Sequence, residues 1–191
     1  PFTREELRRL LSVCDETWKA MTLAGLQTGQ RLGDIARMQW TDVDLAAGVW
    51  HLETGKTGHK LRLPLSDELT AVLKQLSGVC SKGAVFPALV EQLDRAHDKV
   101  GCLSSAFSHF LFLAGLRSHS PYDRVSKGGK KAARVASGSD RREQQELSFH
   151  SLRHTARTWL EEAGVPQSVI DAYVGHQGET GRLYTKVGAA A

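Results

Sequence analysis

Apolar and polar residues alternate along the chain with two different periods, and most of the chain follows the helical one. Thr3 and Glu6 form the pattern of a capping box ahead of the first helix. Gly29 and Gly164 can each end a helix, and Pro166 can start one. The predicted helices span residues 3–13, 15–29, 31–38, 66–76, 91–100, 104–116, 150–163 and 166–174, followed by a last short helix that carries Tyr184.

Between the third and fourth predicted helices the period changes to two. Residues 48–53 and 59–65 alternate apolar and polar side chains, which indicates two β-strands. Gly55 and Gly58 lie between them and suit a tight turn, so this part is predicted to be a β-hairpin. A third short strand is expected to precede or follow it. The expected fold is mainly α with a small three-stranded antiparallel β-sheet, an α+β arrangement.

The composition is that of an ordinary globular protein, because 41% of the residues are hydrophobic and 24% are charged. No apolar stretch approaches the roughly 20 residues that cross a bilayer. The first residues also lack the apolar core of an export signal. We therefore expect a cytoplasmic protein without a membrane partner. The chain begins at Pro1 without a methionine, so we expect a fragment of a longer protein.

The three cysteines, Cys14, Cys80 and Cys102, are widely spaced and form no C-x-x-C pattern. This spacing predicts reduced thiols and argues against disulfides or a structural zinc site. Reduced thiols agree with a cytoplasmic location.

The net charge of +4 is unevenly distributed. Residues 117–142 contain eight Lys and Arg against two Asp, so the rest of the chain carries a net charge of −2. A polyanionic partner would select such a segment, although a solvated loop without a partner has the same composition. We expect residues 117–146 to form a basic, mobile loop. Its candidate contacts to a polyanion are Arg117, Arg124, Lys127, Lys130, Lys131, Arg134, Arg141 and Arg142.

His150 and Arg153 lie three residues apart on a predicted helix, so their side chains are expected on one face. A phosphate bound near the first turn would meet an imidazole, a guanidinium and the positive end of the helix. His150 and His154 have the spacing of metal ligands, but a zinc protease helix would carry Glu where this chain has Ser151. We therefore expect no metal site, and an ordinary solvent-facing His–Arg pair stays possible.

Arg31, Lys56 and Tyr184 are further candidates, although each also has an ordinary structural explanation. Asp34 lies one helical turn after Arg31 and can orient its guanidinium, or the two can form a surface ion pair. Lys56 lies at the hairpin tip, where it could donate a proton or simply add charge. Tyr184 could act as a nucleophile if a base accepted its proton, or it could be a packing residue.

As an ordered set, these residues indicate phosphoryl transfer without a metal. Two guanidiniums, those of Arg31 and Arg153, can clamp one phosphate, and the phenol of Tyr184 can attack it. The side chains that could move protons or brace charge are Lys56, His150 and His176.

The set also resembles the catalytic domain of the tyrosine recombinases, the phage integrase family. The resemblance extends from Pro1 to about Val187, which is nearly the whole chain. The stretches that carry it are Thr28-Gly29-Gln30-Arg31, Asp34, Lys56 in the hairpin, His150-Ser151-Leu152-Arg153-His154-Thr155, Gly175-His176 and Arg182-Leu183-Tyr184.

The resemblance implies a site-specific DNA recombinase or integrase that works through a 3′-phosphotyrosyl intermediate. Arg31 and Arg153 would hold the non-bridging oxygens of the scissile phosphate. Tyr184 would attack the phosphorus atom, and Lys56 would protonate the leaving 5′-oxygen. The bond energy would be kept in the phosphotyrosine, so neither a cofactor nor a metal is expected.

The resemblance also implies supporting roles. His150 would be the acid–base partner of the tyrosine, and His176 would brace the phosphate. Asp34 would support the first arginine, at a position where the family more often has Glu.

Double-stranded DNA is the implied partner, with a homo-oligomer, a tetramer, on the DNA and a nucleoid-associated location. Residues 1–191 would form a single catalytic domain, preceded in the longer protein by an N-terminal DNA-clamping domain. Only seven residues follow Tyr184, whereas many members of the family have a further helix that docks on a neighbouring protomer. The mode of assembly therefore stays open.

Two alternatives from other classes also stay open. Residues 161–170 resemble a helix–turn–helix with Gly164 in the turn, so the chain could be a DNA-binding regulator without catalysis. A type IB topoisomerase uses a related constellation of residues. Strand exchange between two duplexes, as opposed to simple relaxation, would separate the recombinase from the topoisomerase.

Overall fold

The computed structural model describes residues 1–55, 58–78, 82–96, 100–122 and 147–175. The helices in them are α1 (Arg4–Val13), α2 (Glu16–Thr28), α3 (Leu32–Ala36), α4 (Asp67–Ser77), α5 (Pro87–Arg95), α6 (Gly101–Leu113), α7 (Phe149–Glu162) and α8 (Gln167–Val174). The strands are β1 (Val43–Asp44), β2 (Val49–Glu53) and β3 (Lys60–Pro64), and a 3₁₀ turn covers Trp40–Asp42. The expected fold class is confirmed: the chain is mainly helical with one three-stranded antiparallel sheet.

The helix-capping signals act as the sequence predicts. The hydroxyl of Thr3 accepts the backbone N–H of Glu6 at 3.2 Å, and the Glu6 carboxylate accepts the N–H of Thr3 at 2.7 Å. Asp15 accepts the N–H of Trp18 at 2.8 Å and so starts α2. Gly29 closes α2 in the left-handed conformation, with φ of 64°.

The predicted hairpin is formed by β2 and β3, and the third strand precedes it. β1 pairs with the other edge of β2, which gives the strand order β1-β2-β3. Trp50 lies opposite Leu63 in the register, and both side chains are buried. This cross-strand pair therefore fastens the sheet to the core.

Helix α2 buries eight of its thirteen residues and packs against α3, α4 and α7. Gly25 lies close against α7, since an added Cβ would lie 2.8 Å from the ring of Phe149. The Phe149 ring meets Phe107 of α6 edge-on, with ring centroids 5.0 Å apart. This packing fixes α7, the helix that carries His150 and Arg153.

The start of the chain is also fastened to α7. Phe2 is buried, and its N–H donates a 2.7 Å hydrogen bond to the hydroxyl of Thr155. Two residues later the guanidinium of Arg4 lies over the ring of Trp159, 5.6 Å from its centroid. The segment that leads into α1 is therefore held against the helix of the candidate site.

Two helix predictions were wrong in their boundaries. The helix expected over residues 91–100 is α5, which begins earlier because Pro87 suits a first turn that needs no N–H. The helix expected over residues 104–116 is α6. Gly101 begins this helix and does not separate it from the previous one, while Gly115 adopts a left-handed conformation after its end.

Of the three cysteines, Cys14 and Cys102 are half-buried and form no disulfide within the described part of the chain, and Cys80 lies outside the described residues. Burial raises the pKa of the Cys14 thiol to about 11, which disfavours a reactive thiolate.

The helix expected around Tyr184 lies outside the described residues. Among the helices of the described ranges, none is long and apolar enough to cross a membrane.

Candidate active site

Arg31 occupies the N-cap position of α3, directly after the turn that ends α2. The left-handed Gly29 redirects the chain, and Arg31 itself is extended, with φ of −74° and ψ of 148°. Gln30 between them is buried, and its side-chain amide donates a 3.0 Å hydrogen bond to the carbonyl of Tyr173 on α8. The turn is thus fixed to α8, while the Arg31 side chain stays 32% exposed.

Arg153 approaches the same turn from α7 and is almost completely buried. Its Nη1 donates a 2.7 Å hydrogen bond to the carbonyl oxygen of Gly29. A Cβ on Gly29 would lie 3.0 Å from Cγ1 of Val174 and 3.9 Å from Cγ of Arg153. Because glycine has no side chain, α7 and α8 can both come close to the turn that carries Arg31.

The two arginines lie within electrostatic reach of each other. Burial, followed by the positive charges of Arg31 and Arg157, lowers the pKa of Arg153 to about 10, while Asp34 has a smaller opposing effect. The guanidinium is still protonated at neutral pH. Nη1 of Arg31 and Nη2 of Arg153 are both buried without a hydrogen-bond partner. Buried charged donors without partners are costly, so a bound anion would stabilise both.

Asp34 connects the first arginine to the hairpin. Its Oδ2 lies 4.0 Å from Nη1 of Arg31, which allows an ionic interaction but no hydrogen bond. Its Oδ1 accepts the N–H of Gly55 at 3.0 Å, at the start of the turn between β2 and β3. Lys56 follows Gly55 directly and lies outside the described residues. One carboxylate therefore reaches both the arginine and the hairpin turn.

An open cleft of about 540 Å³ lies over this junction. Its charged lining consists of Arg31, Arg37 and Asp34, so positive charge exceeds negative. The volume falls within the range of ordinary ligand sites. The remaining lining residues are Leu32, Gly33, Gly55 and Val100.

His150 lies in the first turn of α7 and is exposed, whereas Arg153 is buried one turn later. The His150 and His154 rings meet edge to face, with centroids 4.7 Å apart and planes at 89°. Ser151 has a structural role, since its hydroxyl accepts the N–H of Ser148 at 3.0 Å and caps the helix. In the described ranges no group of three or more His, Cys, Asp or Glu could hold a metal ion.

His176 and Tyr184 lie outside the described residues, but the approach of the chain to His176 is visible. Gly175 ends α8 in the left-handed conformation, with φ of 73°. A Cβ there would lie 3.4 Å from Cδ1 of Leu61 and 3.9 Å from Cγ2 of Thr54. The end of α8 therefore packs on the same hairpin that carries Lys56.

Of the basic segment, the structure describes Arg117. It is half-buried and lines a cavity of about 360 Å³ with serines of α6 and with His119. The other candidate contacts to DNA lie outside the described residues, namely Arg124, Lys127, Lys130, Lys131, Arg134, Arg141 and Arg142.

The sequence did not reveal what holds the charged residues. Gly29 was expected only as a helix end, Gly55 only as a flexible turn residue, and Gln30 only as part of a motif. All three prove to be anchors, for Arg153, Asp34 and the α2–α3 turn. The run 28–31 carried a signal for the anchoring of this turn. Gln30 lies between the helix-ending Gly29 and Arg31, and its polar side chain needs a hydrogen-bond partner if the turn is buried.

Comparison with known proteins identifies the family to which this chain is similar. The sequence profile of the Phage integrase family matches residues 1–190. The integrase of Salmonella phage P22 is 29% identical over 168 residues, which cover 86% of this chain and 38% of that protein. The tyrosine recombinase XerA of Thermococcus kodakarensis is 30% identical over 194 residues, covering 97% of this chain and 57% of that protein.

A solved structure extends the similarity to the fold. A lambda integrase dimer bound to a COC′ core site superimposes with a TM-score of 0.62 at 17% identity, covering 94% of this chain and 58% of that one. The chain spans only 38% and 57% of the P22 and Thermococcus relatives. The family profile nevertheless covers almost every residue, and the chain therefore belongs to the phage integrase family.

Proposed function

We propose that this chain is the catalytic domain of a site-specific DNA recombinase, an integrase that cleaves and rejoins DNA. The observation that carries the proposal is the convergence of Arg31 and Arg153 on one turn, each with a buried nitrogen that has no hydrogen-bond partner in the protein. A DNA phosphodiester suits this pair, because a guanidinium fork binds phosphate oxygens through two parallel hydrogen bonds.

The proposed reaction is a metal-independent transesterification at one DNA phosphate. The phenolic oxygen of Tyr184 forms a bond to phosphorus while the bond to the 5′-oxygen breaks, which leaves a 3′-phosphotyrosyl intermediate. His150 accepts the phenolic proton, and Lys56 gives a proton to the 5′-oxygen. Rejoining is the same reaction in reverse, with a 5′-hydroxyl as the nucleophile, so no external energy source is needed.

The arginines contribute mainly by being in place before the charge develops. Negative charge builds on the non-bridging oxygens as phosphorus is attacked, and fixed donors stabilise it without reorganisation. Loss of one such donor typically costs about 10²–10³-fold in rate. Two guanidiniums supply this charge stabilisation directly, which is why the proposal needs no metal cofactor.

The other candidate residues act around this clamp. Asp34 positions the clamp and the hairpin together, since its two oxygens face Arg31 and Gly55. His176 follows the end of α8 and braces the phosphate. The supporting contact is the packing of Gly175 against Leu61 of the hairpin.

DNA is the proposed partner of this chain, in a nucleoid-associated complex. Recombination exchanges strands between two duplexes, so four cleavable strands require four tyrosines and hence a tetramer. The relatives are named integrase and tyrosine recombinase, so the regulator and the topoisomerase alternatives are not favoured. We also propose that a DNA-clamping domain precedes residue 1 and that the segment 117–146 adds phosphate contacts.

The test is covalent capture of cleaved DNA. Nicked duplexes with randomised sequence are incubated with the chain, because loss of the short cleaved strand at the nick makes the adduct accumulate. A denaturing gel should show a protein–DNA adduct in the wild type, with and without EDTA. Tyr184→Phe should abolish it while DNA binding is retained.

The same gel separates the alternatives. A regulator binds DNA and gives no adduct. An adduct that persists in Tyr184→Phe, or that requires a divalent ion, contradicts the proposed chemistry.

A further inference from the structure

Arg37 ends the short helix α3 and its guanidinium lies back along that helix. Its Nη1 donates a 3.0 Å hydrogen bond to the carbonyl of Gly33, one turn earlier. A Cβ on Gly33 would lie only 3.2 Å from this nitrogen and 3.6 Å from Cγ2 of Val100. The missing side chain at Gly33 thus makes room for the guanidinium at the edge of the cleft.

The Arg37 guanidinium keeps most of its hydrogen-bonding capacity. The group carries about five N–H donors, and the bond to Gly33 uses one nitrogen. Among the described residues, no carboxylate lies within ion-pair distance of Arg37. The side chain is exposed, and it lines the same cleft as Arg31 and Asp34. Two arginines and one carboxylate line the cleft, so its lining carries a net positive charge.

The positions of the two arginines suit nearby phosphates of one DNA strand. Arg31 and Arg37 flank the five residues of α3 as its N-cap and C-cap. The guanidinium of Arg37 lies back towards Gly33, and both arginine side chains line the same cleft. A DNA strand that passes over this cleft therefore meets both guanidiniums at phosphates that lie close together in its sequence.

We infer that Arg37 is a second phosphate-binding residue, which holds the DNA backbone close to the scissile phosphate. The inference rests on the proposed function, because it assumes that Arg31 holds the scissile phosphate itself. Arg37 touches no reacting atom in this arrangement. It fixes the register of the strand in the cleft, and it does so for any DNA sequence.

The contact is tested by the salt dependence of DNA binding. Affinity for a short duplex of arbitrary sequence is measured between low and moderate salt for the wild type, Arg37→Gln and Gly33→Ala. The matched control is Arg8→Gln, which removes the same charge from an exposed residue of α1 that pairs with Glu5 at 3.3 Å. All variants are compared on the nicked duplexes for the protein concentration at half-maximal adduct formation.

For Arg37→Gln we expect the slope of log affinity against log salt to fall by about one unit. The half-maximal concentration should rise about tenfold. Gly33→Ala keeps the charge but displaces the guanidinium, so it should show a smaller shift in the same direction. Arg8→Gln should match the wild type.

The inference is overturned if Arg37→Gln and Arg8→Gln have the same slope and the same half-maximal concentration. This result is distinguishable from failure of the proposed function. If the proposed function is wrong, the wild type itself forms no covalent adduct, whatever the salt dependence of its DNA binding.

Discussion

Arg153 on α7 donates a 2.7 Å hydrogen bond to the carbonyl of Gly29, a residue 124 positions earlier in the chain. The bond joins the helix that carries one arginine to the turn that carries the other. It uses one nitrogen of Arg153 and leaves the second buried without a partner. The geometry of the proposed phosphate clamp is therefore set by a backbone carbonyl, which substitutions at Gly29 can displace but cannot remove.

Two replacements of Arg153 test the contribution of its positive charge and that of its planar guanidinium separately. Arg153→Lys keeps a positive charge but loses the planar fork, so adduct formation should fall by about 10²-fold or more. Arg153→Ala also leaves the buried Gly29 carbonyl without a donor, which should cost a further 1–3 kcal/mol, roughly, in the free energy of unfolding. Adduct gels measure the first effect and urea unfolding the second.

The control is Arg157→Lys on the same helix, where the side chain pairs with Asp171 at 3.2 Å. That variant should retain adduct formation within about twofold, since lysine can keep this partly exposed ion pair and such a pair contributes little. Equal losses at the two positions would show that α7 merely needs arginines for stability.

Gly29→Ala should be more destabilising than a comparable glycine substitution elsewhere. Both Gly29 and Gly164 have a positive φ, 64° and 78°, so alanine is strained by about 1–2 kcal/mol at either site. At Gly164 nothing lies near an added Cβ, whereas at Gly29 the Cβ would meet Val174 at 3.0 Å. We expect Gly29→Ala to cost at least about 1 kcal/mol more in urea unfolding, and Gly164→Ala is the matched control.

Adduct formation gives the second readout for these glycines. Gly29→Ala should reduce it even under conditions where the variant is folded, because the Arg153 acceptor moves. Full adduct formation by folded Gly29→Ala would contradict the anchoring role of this carbonyl.

Asp34 should matter chiefly through the hairpin turn that leads to Lys56. Asp34→Asn retains an oxygen that can accept the Gly55 N–H, whereas Asp34→Ala removes it. We expect adduct formation to fall about tenfold more in the alanine variant than in the asparagine variant, by the usual scale for a misplaced proton donor. The measurement is adduct formation on a normal phosphodiester.

A modified substrate tests whether the defect lies in the proton transfer. When sulphur replaces the 5′-bridging oxygen, a thiolate leaves readily without a proton, because the pKa of a thiol is only about 8.5. Lys56→Ala and Asp34→Ala should then recover most of the lost rate, and Arg153→Lys should not. Rescue of all three variants, or of none, would contradict the division of roles.

The link between Phe2 and α7 should be measurable as stability. Thr155→Val removes the acceptor of the buried Phe2 N–H while keeping the shape of the side chain. An unsatisfied buried donor costs about 1–3 kcal/mol, which urea unfolding should show as a lower midpoint with an unchanged slope. Thr158→Val on the same helix, at a half-buried position, is the control and should change the midpoint little.

The elements of the fold could be predicted where the determining contacts are local. The capping box of Thr3 and Glu6 and the glycine after α2 involve residues within one helical turn, so the sequence displays both partners. The starts of α5 and α6 were misplaced because local residues do not decide them. Pro87 and Gly101 are compatible with either a helix start or a loop, and only packing against the rest of the core decides between them.

In the candidate site, the features that the sequence predicts differ clearly from those that only the structure reveals. Spacing along one helix placed His150 and Arg153 correctly on α7, but it did not foresee that one would be exposed and the other buried. The bonds from Arg153 to Gly29 and from Asp34 to Gly55 join distant segments, and no local pattern encodes such a pairing. The position of Arg37 over Gly33 was also missed, because its significance depends on the cleft it lines.

The most direct test of the central claim is identification of the residue that becomes joined to DNA. The adduct is digested with a protease and a nuclease, and the nucleotide-bearing peptide is sequenced by mass spectrometry. The nucleotide should be found on Tyr184 in the wild type, and Arg31→Ala and Arg153→Ala should give no modified peptide although they still bind DNA. A nucleotide on any other residue, or normal modification of Tyr184 in both arginine variants, would contradict the account.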